Sequence, residues 1–158
     1  RLIDSLLLLE PAVSYLCFSA RVPGNARPGG YRAALDGDRV RKPILSTYSK
    51  KDFPLHDTFH LALRRAADVG ELQIAADRGT TAGDPPNRFA ALGGYGPRGA
   101  GQRLVDPMPK AGAAYPSLGD DPIIGLDGSA GIIGGHGDVK SDATAWALYQ
   151  LAFRSQSS

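Results

Sequence analysis

The chain has 158 residues, a length suited to one domain with a hydrophobic core of its own. Its composition, 42% hydrophobic and 22% charged, is typical of a soluble globular protein and excludes a largely disordered chain. Eighteen basic and sixteen acidic residues give a net charge of +2, and the basic residues are dispersed in pairs such as Lys50 and Lys51. This pattern excludes a basic footprint for nucleic acid.

The longest apolar run, around residues 6–9, is far shorter than the ~20 residues that span a bilayer. Asp4 and Glu10 bracket it, so it does not have the form of a signal peptide. The single cysteine, Cys17, excludes an internal disulfide, and in "SYLCFSA" we expect it to be a small buried hydrophobe. These features favour a cytoplasmic protein without a membrane span.

The first part of the chain predicts a strand and an irregular connection. "SLLLLEPAV", residues 5–13, shows no alternation and predicts a strand buried on both faces, as in parallel sheets. Because this run begins so soon after Arg1, we expect further residues before Arg1 in the complete protein. Residues 17–41 are rich in glycine and proline, with a short helical possibility at "YRAALD" closed by Gly37.

The middle of the chain predicts a second strand and a helix. "RKPILSTYS" favours β structure, and Asp52 follows just past its end. "FPLHDTFHLALRRAADVG" predicts a helix with Pro54 in its first turn and Gly70 as its C-cap. The apolar side chains at helical spacing are Leu55, Phe59, Ala62, Leu63 and Ala66.

Residues 77–122 contain nine glycines and seven prolines, and their lack of a period predicts a long irregular insertion. "DPIIGLDG" then predicts a third strand and "SDATAWALYQLAF" a closing helix capped by Ser141 or Asp142. The stripe expected to be buried on that helix consists of Ala145, Leu148, Leu151 and Ala152. The alternation predicts an α/β fold with about three parallel strands and flanking helices, within one domain over residues 1–158.

Two titratable residues follow predicted strands. Asp52 comes after the second strand, and His136 lies in the glycine-rich stretch after the third. Ligands and catalytic groups in open α/β sheets gather beyond the carboxyl ends of the strands. An aspartate that orients an imidazole is part of an acyl-transfer triad. We expect Gly134, Gly135 and Gly137 to let the backbone turn sharply around His136.

Two segments together resemble the C-terminal half of an α/β-hydrolase of the serine esterase or lipase type. They are "PILSTYSKKDFPLHDTF" and "IIGLDGSAGIIGGHGDVKSDATAWALYQLA". By this resemblance "DSLLLLEPAVS" matches the strand after the nucleophile region, and residues 17–41 lie where such enzymes often place a cap element. The resemblance implies that Asp52 is the triad acid and His136 the triad base, in an enzyme that hydrolyses carboxylic esters or related acyl compounds.

Members of that family carry the nucleophile on a G-x-S-x-G turn before the acid in the sequence. This motif is absent here, and the nearest match, "DGSAG", places Ser129 after Asp52. The resemblance therefore implies that the nucleophile and the oxyanion hole belong to an N-terminal half, on the same or a separate chain. By itself the chain is expected to be inactive, and no cofactor is implied.

Other interpretations of these residues stay open. Asp52 also fits a helix N-cap, and Glu10 and Asp127 are alternative acids because each lies at a strand end. Asp138 is expected to favour the start of the closing helix.

We assign no ligand to two further motifs. "HDTFH" places His56 and His60 four residues apart, but it has no glutamate and no spaced third ligand, so we assign no metal. "GYGPRG", residues 94–99, is a loop to which we assign no nucleotide, because no helix follows it. A second hypothesis for the whole chain is a non-catalytic hydrolase-derived α/β module that pairs with another chain through an exposed strand edge.

Overall fold

The computed structural model describes residues 2–24, 26–62 and 84–153. Within these ranges the chain has a mixed α/β arrangement around a four-stranded sheet. The strands are β1 (Leu7–Leu8), β2 (Ile44–Tyr48), β3 (Arg103–Val105) and β4 (Ile123–Asp127). They lie in the order β1-β2-β4-β3, and every neighbouring pair is parallel.

The centre of the sheet is formed by β2 and β4, whose ten residues are all buried. Their register runs from Ile44 beside Ile123 to Tyr48 beside Asp127, so the two strands end at the same level. Because side chains alternate along a strand, neighbouring residues enter opposite faces of the sheet. Ile44 thus packs in one hydrophobic cluster and Leu45 in the other.

Helices and loops cover both faces. One face is covered by a cluster that includes Phe18, Leu35 of a 3-10 helix (Arg32–Leu35), and Leu92 of a four-residue helix, α2 (Leu92–Tyr95). The other face packs against the closing helix α3 (Asp142–Phe153) through Ala143, Ala147 and Leu151. Between β2 and α2, a π-helical turn (Pro54–Thr58) leads into α1 (Phe59–Ala62).

The predicted second and third strands, the parallel pairing and the closing helix are confirmed. Ser141 caps that helix as predicted, since its Oγ accepts the Thr144 N–H at 3.2 Å. The number of strands is larger than predicted, because the insertion at 77–122 contributes strand β3. The same insertion also contributes helix α2. Strand β1 is shorter than its apolar run suggested, and its two residues are only half-buried.

The helix after Asp52 differs from the predicted α-helix in its first turn. The Phe59 N–H bonds to the Pro54 carbonyl five residues earlier, which is a π-type bond. The turn therefore contains one more residue than an α-helical turn, and His60 rather than Phe59 follows Leu55 on the buried side of the helix. Leu55 and His60 are buried, Phe59 is half-buried and Ala62 is exposed. The expected positions Leu63, Ala66 and Gly70 lie outside the described residues.

The predicted stripe on α3 is wrong at three of its four positions. Leu151 is buried, but Ala145, Leu148 and Ala152 are exposed. The helix instead turns its small residues Ala143 and Ala147 to the sheet, which lets it pack closely against Leu45 and Ile124.

Residues 17–24 and 26–41 are largely irregular and pack through Cys17, Phe18, Leu35 and Val40 against the sheet. Cys17 is 7% exposed, and burial raises the pKa of its thiol to about 12, in line with the predicted buried hydrophobe. Among the described residues, no helix is both long and apolar enough to cross a membrane.

Candidate functional site

Asp52 and His136 are in direct contact beyond the carboxyl ends of β2 and β4. His136 Nδ1 lies 2.8 Å from Asp52 Oδ2, although the two residues are 84 positions apart in the chain. The Asp52 side chain is fully buried, whereas 59% of the His136 side chain is exposed. A buried carboxylate thus holds one nitrogen of an imidazole that remains accessible from outside.

Asp52 uses its two carboxylate oxygens for different partners. Oδ1 accepts the Leu55 N–H at 3.0 Å, which is the bond of a helix N-cap, and Oδ2 faces His136. The Asp52 carbonyl also accepts the His56 N–H at 2.7 Å. The N-cap and the histidine partner were alternatives in the sequence, and the geometry combines them in one side chain.

The loop that carries His136 is tied to the end of β2. Ser49 Oγ donates to the Ile133 carbonyl at 2.8 Å, and Ser49 is buried. Asp138 then closes the turn around the histidine, because its Oδ2 accepts the Gly134 N–H at 3.1 Å and its own N–H donates to the Gly135 carbonyl. These bonds fix the loop at both sides of the imidazole.

This arrangement corrects one expectation. Asp138 braces the histidine turn rather than the start of α3, which begins at Asp142. Gly134 and Gly135 take part in that turn through their bonds to Asp138, and Gly131, with φ +95°, is the left-handed glycine of the loop. At Gly128 the requirement for glycine is close packing, since a Cβ there would lie 2.6 Å from Ile133.

Glu10, at the end of β1, joins the same group. One potential ligand atom from each of Glu10, Asp52 and His136 lies within 4.8 Å of the other two. Glu10 is 4% exposed, and within the described part of the chain its two side-chain oxygens have no hydrogen-bond donor. Burial, and next the Asp52 carboxylate, raise the pKa of Glu10 to about 8.

The backbone around Glu10 is closely constrained. Glu10 has a left-handed φ of +39°, and its N–H donates to Thr47 Oγ1 at 3.1 Å. Gly93 of α2 packs against it, and a Cβ on Gly93 would lie 2.5 Å from the Glu10 carbonyl carbon. Gly93 also bonds the Ser49 N–H through its carbonyl at 2.9 Å. Helix α2 thereby holds the ends of β1 and β2 together.

The remaining candidates are engaged elsewhere. Asp127 Oδ1 accepts the Ser129 N–H at 2.8 Å, and its Oδ2 lies 3.8 Å from Lys50 Nζ. Ser129 Oγ accepts the Lys50 N–H at 2.9 Å. Asp127 and Ser129 therefore organise the turn after β4 instead of joining Asp52 and His136.

The two other histidines lie apart from this group. His56 stacks on Tyr95 with ring centroids 4.3 Å apart, and its Nδ1 faces Asp57 Oδ1 at 3.3 Å. His60 is buried on the following turn. The first two residues of "GYGPRG" end α2, and Gly96, with φ +71°, packs against the ring of Tyr48.

The three donors Glu10, Asp52 and His136 are of the types that bind zinc. Ligands of a tetrahedral zinc ion at ~2.0–2.1 Å from the metal lie about 3.4 Å from one another. A zinc ion bound between His136 Nδ1 and Asp52 Oδ2 would require these atoms, 2.8 Å apart, to separate to that spacing, while the other separations, all within 4.8 Å, admit it. The 2.8 Å Asp52–His136 contact is a normal hydrogen bond and needs no such adjustment.

The sequence contained no direct signal for the contributions of Ser49 and Gly93. Ser49 follows β2 and could have been suspected from its place at a strand end, but its bond to Ile133 joins positions 84 residues apart. Gly93 looked like one of several glycines in an irregular insertion, and its role depends on the approach of α2 to Glu10.

Comparisons with family models, with curated proteins and with solved structures found no match for this chain. The chemical capacity of the site is inferred from the contact between His136 and Asp52. With Nδ1 bonded to a buried carboxylate, the imidazole of His136 is fixed in the tautomer that leaves Nε2 free to accept a proton. Such a pair can serve as the base and orienting acid of a nucleophilic hydrolysis.

Proposed function

We propose that the chain is the C-terminal part of an α/β-hydrolase-type serine hydrolase that cleaves carboxylic esters or related acyl compounds. His136 takes the proton of a serine hydroxyl as it attacks the acyl carbon, and then returns that proton to the leaving group. Asp52 holds the His136 tautomer and stabilises the imidazolium. The nucleophile and the oxyanion hole are contributed by an N-terminal half outside this sequence.

The observation that carries the proposal is the 2.8 Å contact between His136 Nδ1 and the fully buried carboxylate of Asp52. An exposed aspartate beside a histidine is commonplace. Asp52 is buried and caps a helix after a parallel strand, and these contacts hold its carboxylate in one orientation toward His136. The exposure of His136 leaves its ring within reach of a nucleophile from another segment.

The order of the strands supports the same proposal. The predicted first, second and third strands, now β1, β2 and β4, are neighbours in the sheet, and the acid and the histidine follow the second and third of them. In an α/β-hydrolase the segment before β1 would continue the sheet on its far side. Strand β1 lies at the edge of the described sheet, where such a strand could pair.

The proposal is tested with an alkyl fluorophosphonate on the complete protein. The serine Oγ attacks phosphorus and fluoride leaves, so labelling requires an activated serine but no knowledge of the substrate. We expect the wild type to be labelled and His136→Gln to lose labelling. His56→Gln is the matched control, since the His56 ring stacks on Tyr95 and its bond to Asp52 is made by the backbone N–H, which the substitution keeps, and it should be labelled like the wild type.

One feature favours the second candidate, a non-catalytic module that pairs with another chain. A groove of about 390 Å³ lies between the edge strand and α3, and its lining includes Leu7, Leu9, Ala145 and Leu148. Leu9 is 40% and Leu148 46% exposed. Apolar side chains beside an unpaired strand edge favour association with a further strand.

The two candidates differ in what the complete assembly does. A module predicts a stable complex without phosphonate labelling, weakened by Leu148→Asp when measured by sedimentation velocity. The hydrolase predicts labelling that depends on His136, whatever Leu148→Asp does to association. Labelling of the wild type together with its loss in His136→Gln would rule out the non-catalytic module.

A further inference from the structure

Glu10 is a buried acid without an evident hydrogen-bond donor. It is 4% exposed and lies in one cluster with Asp52 and His136, yet among the described residues no N–H or O–H faces its carboxyl oxygens. A buried carboxylate that lacks a donor is strongly destabilising, whereas a neutral carboxyl group can itself donate a hydrogen bond. The neighbouring carboxylate of Asp52 is an acceptor for that proton.

The local backbone holds Glu10 at this position. A left-handed φ of +39° is unfavourable for a glutamate and persists only where the surroundings impose it. The surroundings here are the bond from the Glu10 N–H to Thr47 and the close approach of Gly93. Strand β1, strand β2 and α2 thus converge on one side chain.

We propose that Glu10 is a positioning residue whose carboxyl group keeps its proton and donates it in a hydrogen bond to Asp52, so that Asp52 stays anionic toward His136 Nδ1. The inference rests on the proposed function for its effect on catalysis. The location of the proton is measurable without turnover. The resulting relay runs from Glu10 through Asp52 to His136, and the exposed imidazole is its only member in contact with substrate.

The charges around Glu10 favour this arrangement. Two carboxylates that share a buried site cannot easily ionise together, and one of them keeps a proton. The two oxygens of Asp52 already face the Leu55 N–H and the His136 ring nitrogen, whereas the oxygens of Glu10 face no such donor among the described residues. Asp138, the further acid that acts on Glu10, also disfavours its ionisation.

The first experiment follows the carboxyl carbon of Glu10 by ¹³C NMR in the complete wild-type protein from pH 4 to pH 10. We expect a step near pH 8 that vanishes in Glu10→Gln, with the same step visible in the ring signals of His136. A normal step near pH 4.5 would overturn the inference. The pH of the step is measured in the wild type, so the decision between pH 8 and pH 4.5 does not depend on the folding of a variant.

The second experiment compares Glu10→Gln with Glu10→Leu in kcat and KM for an ester hydrolysed by the complete enzyme. The Gln amide can donate to Asp52 and should keep kcat within about threefold, whereas Leu cannot and should lower kcat about tenfold or more. KM should stay unchanged in both, since Glu10 does not touch substrate. Equal losses in the two variants would contradict the inference.

A zinc titration by calorimetry completes the test. Binding of Zn²⁺ that is lost in Glu10→Gln and in Asp52→Asn would show a cation site in place of a shared proton, and would overturn the inference. The failures are distinguishable. If Glu10 titrates near pH 4.5 while the wild type is labelled by the fluorophosphonate, the inference about Glu10 fails and the proposed function stands. If Glu10 titrates near pH 8 while the wild type is not labelled, the proposed hydrolase function fails and the shared proton stands.

Discussion

Asp52 joins the helix after β2 to the histidine loop after β4, with one oxygen for each. Its position just past a strand was readable from the sequence, and so was His136. What the sequence could not show was their distance, or that Glu10 is buried beside them. Those facts depend on the strand order and on α2, which approaches Glu10 from an insertion without periodicity.

Asp52→Asn should leave the fold nearly intact and remove the activity. The Asn oxygen can still accept the Leu55 N–H, but its amide favours the wrong tautomer of His136. We expect kcat of the complete enzyme to fall by about ten-thousandfold. Asp57→Asn is the matched control, because the Asp57 side chain is 50% exposed, and its kcat should stay within about twofold of wild type. A fall of less than tenfold in Asp52→Asn would contradict the assigned role.

Glu10→Gln should change how stability depends on pH. The pKa of Glu10 is raised from 4.5 to about 8 in the folded protein, so between these values the folded state holds a proton that the unfolded state has lost. This contribution to stability is complete below pH 4.5 and is lost as pH rises toward 8. The Gln variant lacks it, so between pH 5 and pH 8 its free energy of unfolding should fall by about 3–4 kcal/mol less than that of the wild type in urea titrations. Parallel pH profiles of the two proteins would argue against a buried neutral Glu10.

At the scale of elements, the regular segments were the predictable ones. Strands β2 and β4 are buried on both faces and have continuous apolar sequences, and α3 carries a capping serine before an apolar run. Strand β3 has three residues, too few for a period, and it is stabilised by pairing with β4. The face of α3 could not be read from its sequence, because apolar residues surround the helix and only the structure shows that Ala143, Ala147 and Leu151 face the sheet.

Leu151 and Leu148 test which face of α3 packs on the sheet. Leu151 is 0% exposed and Leu148 46%. Leu151→Ala should lower the free energy of unfolding by about 2–5 kcal/mol because it leaves a cavity against the sheet. Leu148→Ala, measured in the same urea titration, should cost less than about 1 kcal/mol. The reverse order of the two effects would mean that α3 is rotated about its axis.

Gly93 tests the contact of α2 with the end of β1. A Cβ at this position would lie 2.5 Å from the Glu10 carbonyl carbon and 2.7 Å from its Cα, so the backbone would have to shift. Gly93→Ala should destabilise the protein by about 3 kcal/mol or more and lower hydrolysis by the complete enzyme, since the shift moves Glu10 away from Asp52. Gly30→Ala is the control, because a Cβ there meets nothing within 4 Å, and its change should stay within about 0.5 kcal/mol. Similar stabilities in the two variants would remove the argument that α2 positions Glu10.

At the scale of the whole molecule, we propose that the chain supplies the acid and the histidine of a hydrolase whose nucleophile lies in another segment. The parallel sheet brings Glu10, Asp52 and His136 to one edge, and it leaves β1 and the groove beside α3 for a further element to cover. The class of fold was accessible from the alternation of strands and helices. In the proposed hydrolase, the base, the acid and the positioning residue act on the reaction rather than on the acyl chain, so other residues select the substrate.

The most direct test of this claim is the rate of fluorophosphonate labelling of the complete protein, compared among wild type, His136→Gln and Ser129→Ala. Ser129 is the nearest sequence match to a nucleophile, but its Oγ accepts the Lys50 N–H in the turn after β4. We expect fast labelling of the wild type and of Ser129→Ala, with the label on a serine outside residues 1–158, and a labelling rate at least about a thousandfold lower in His136→Gln. An unlabelled wild type, or equal labelling of His136→Gln, would contradict it.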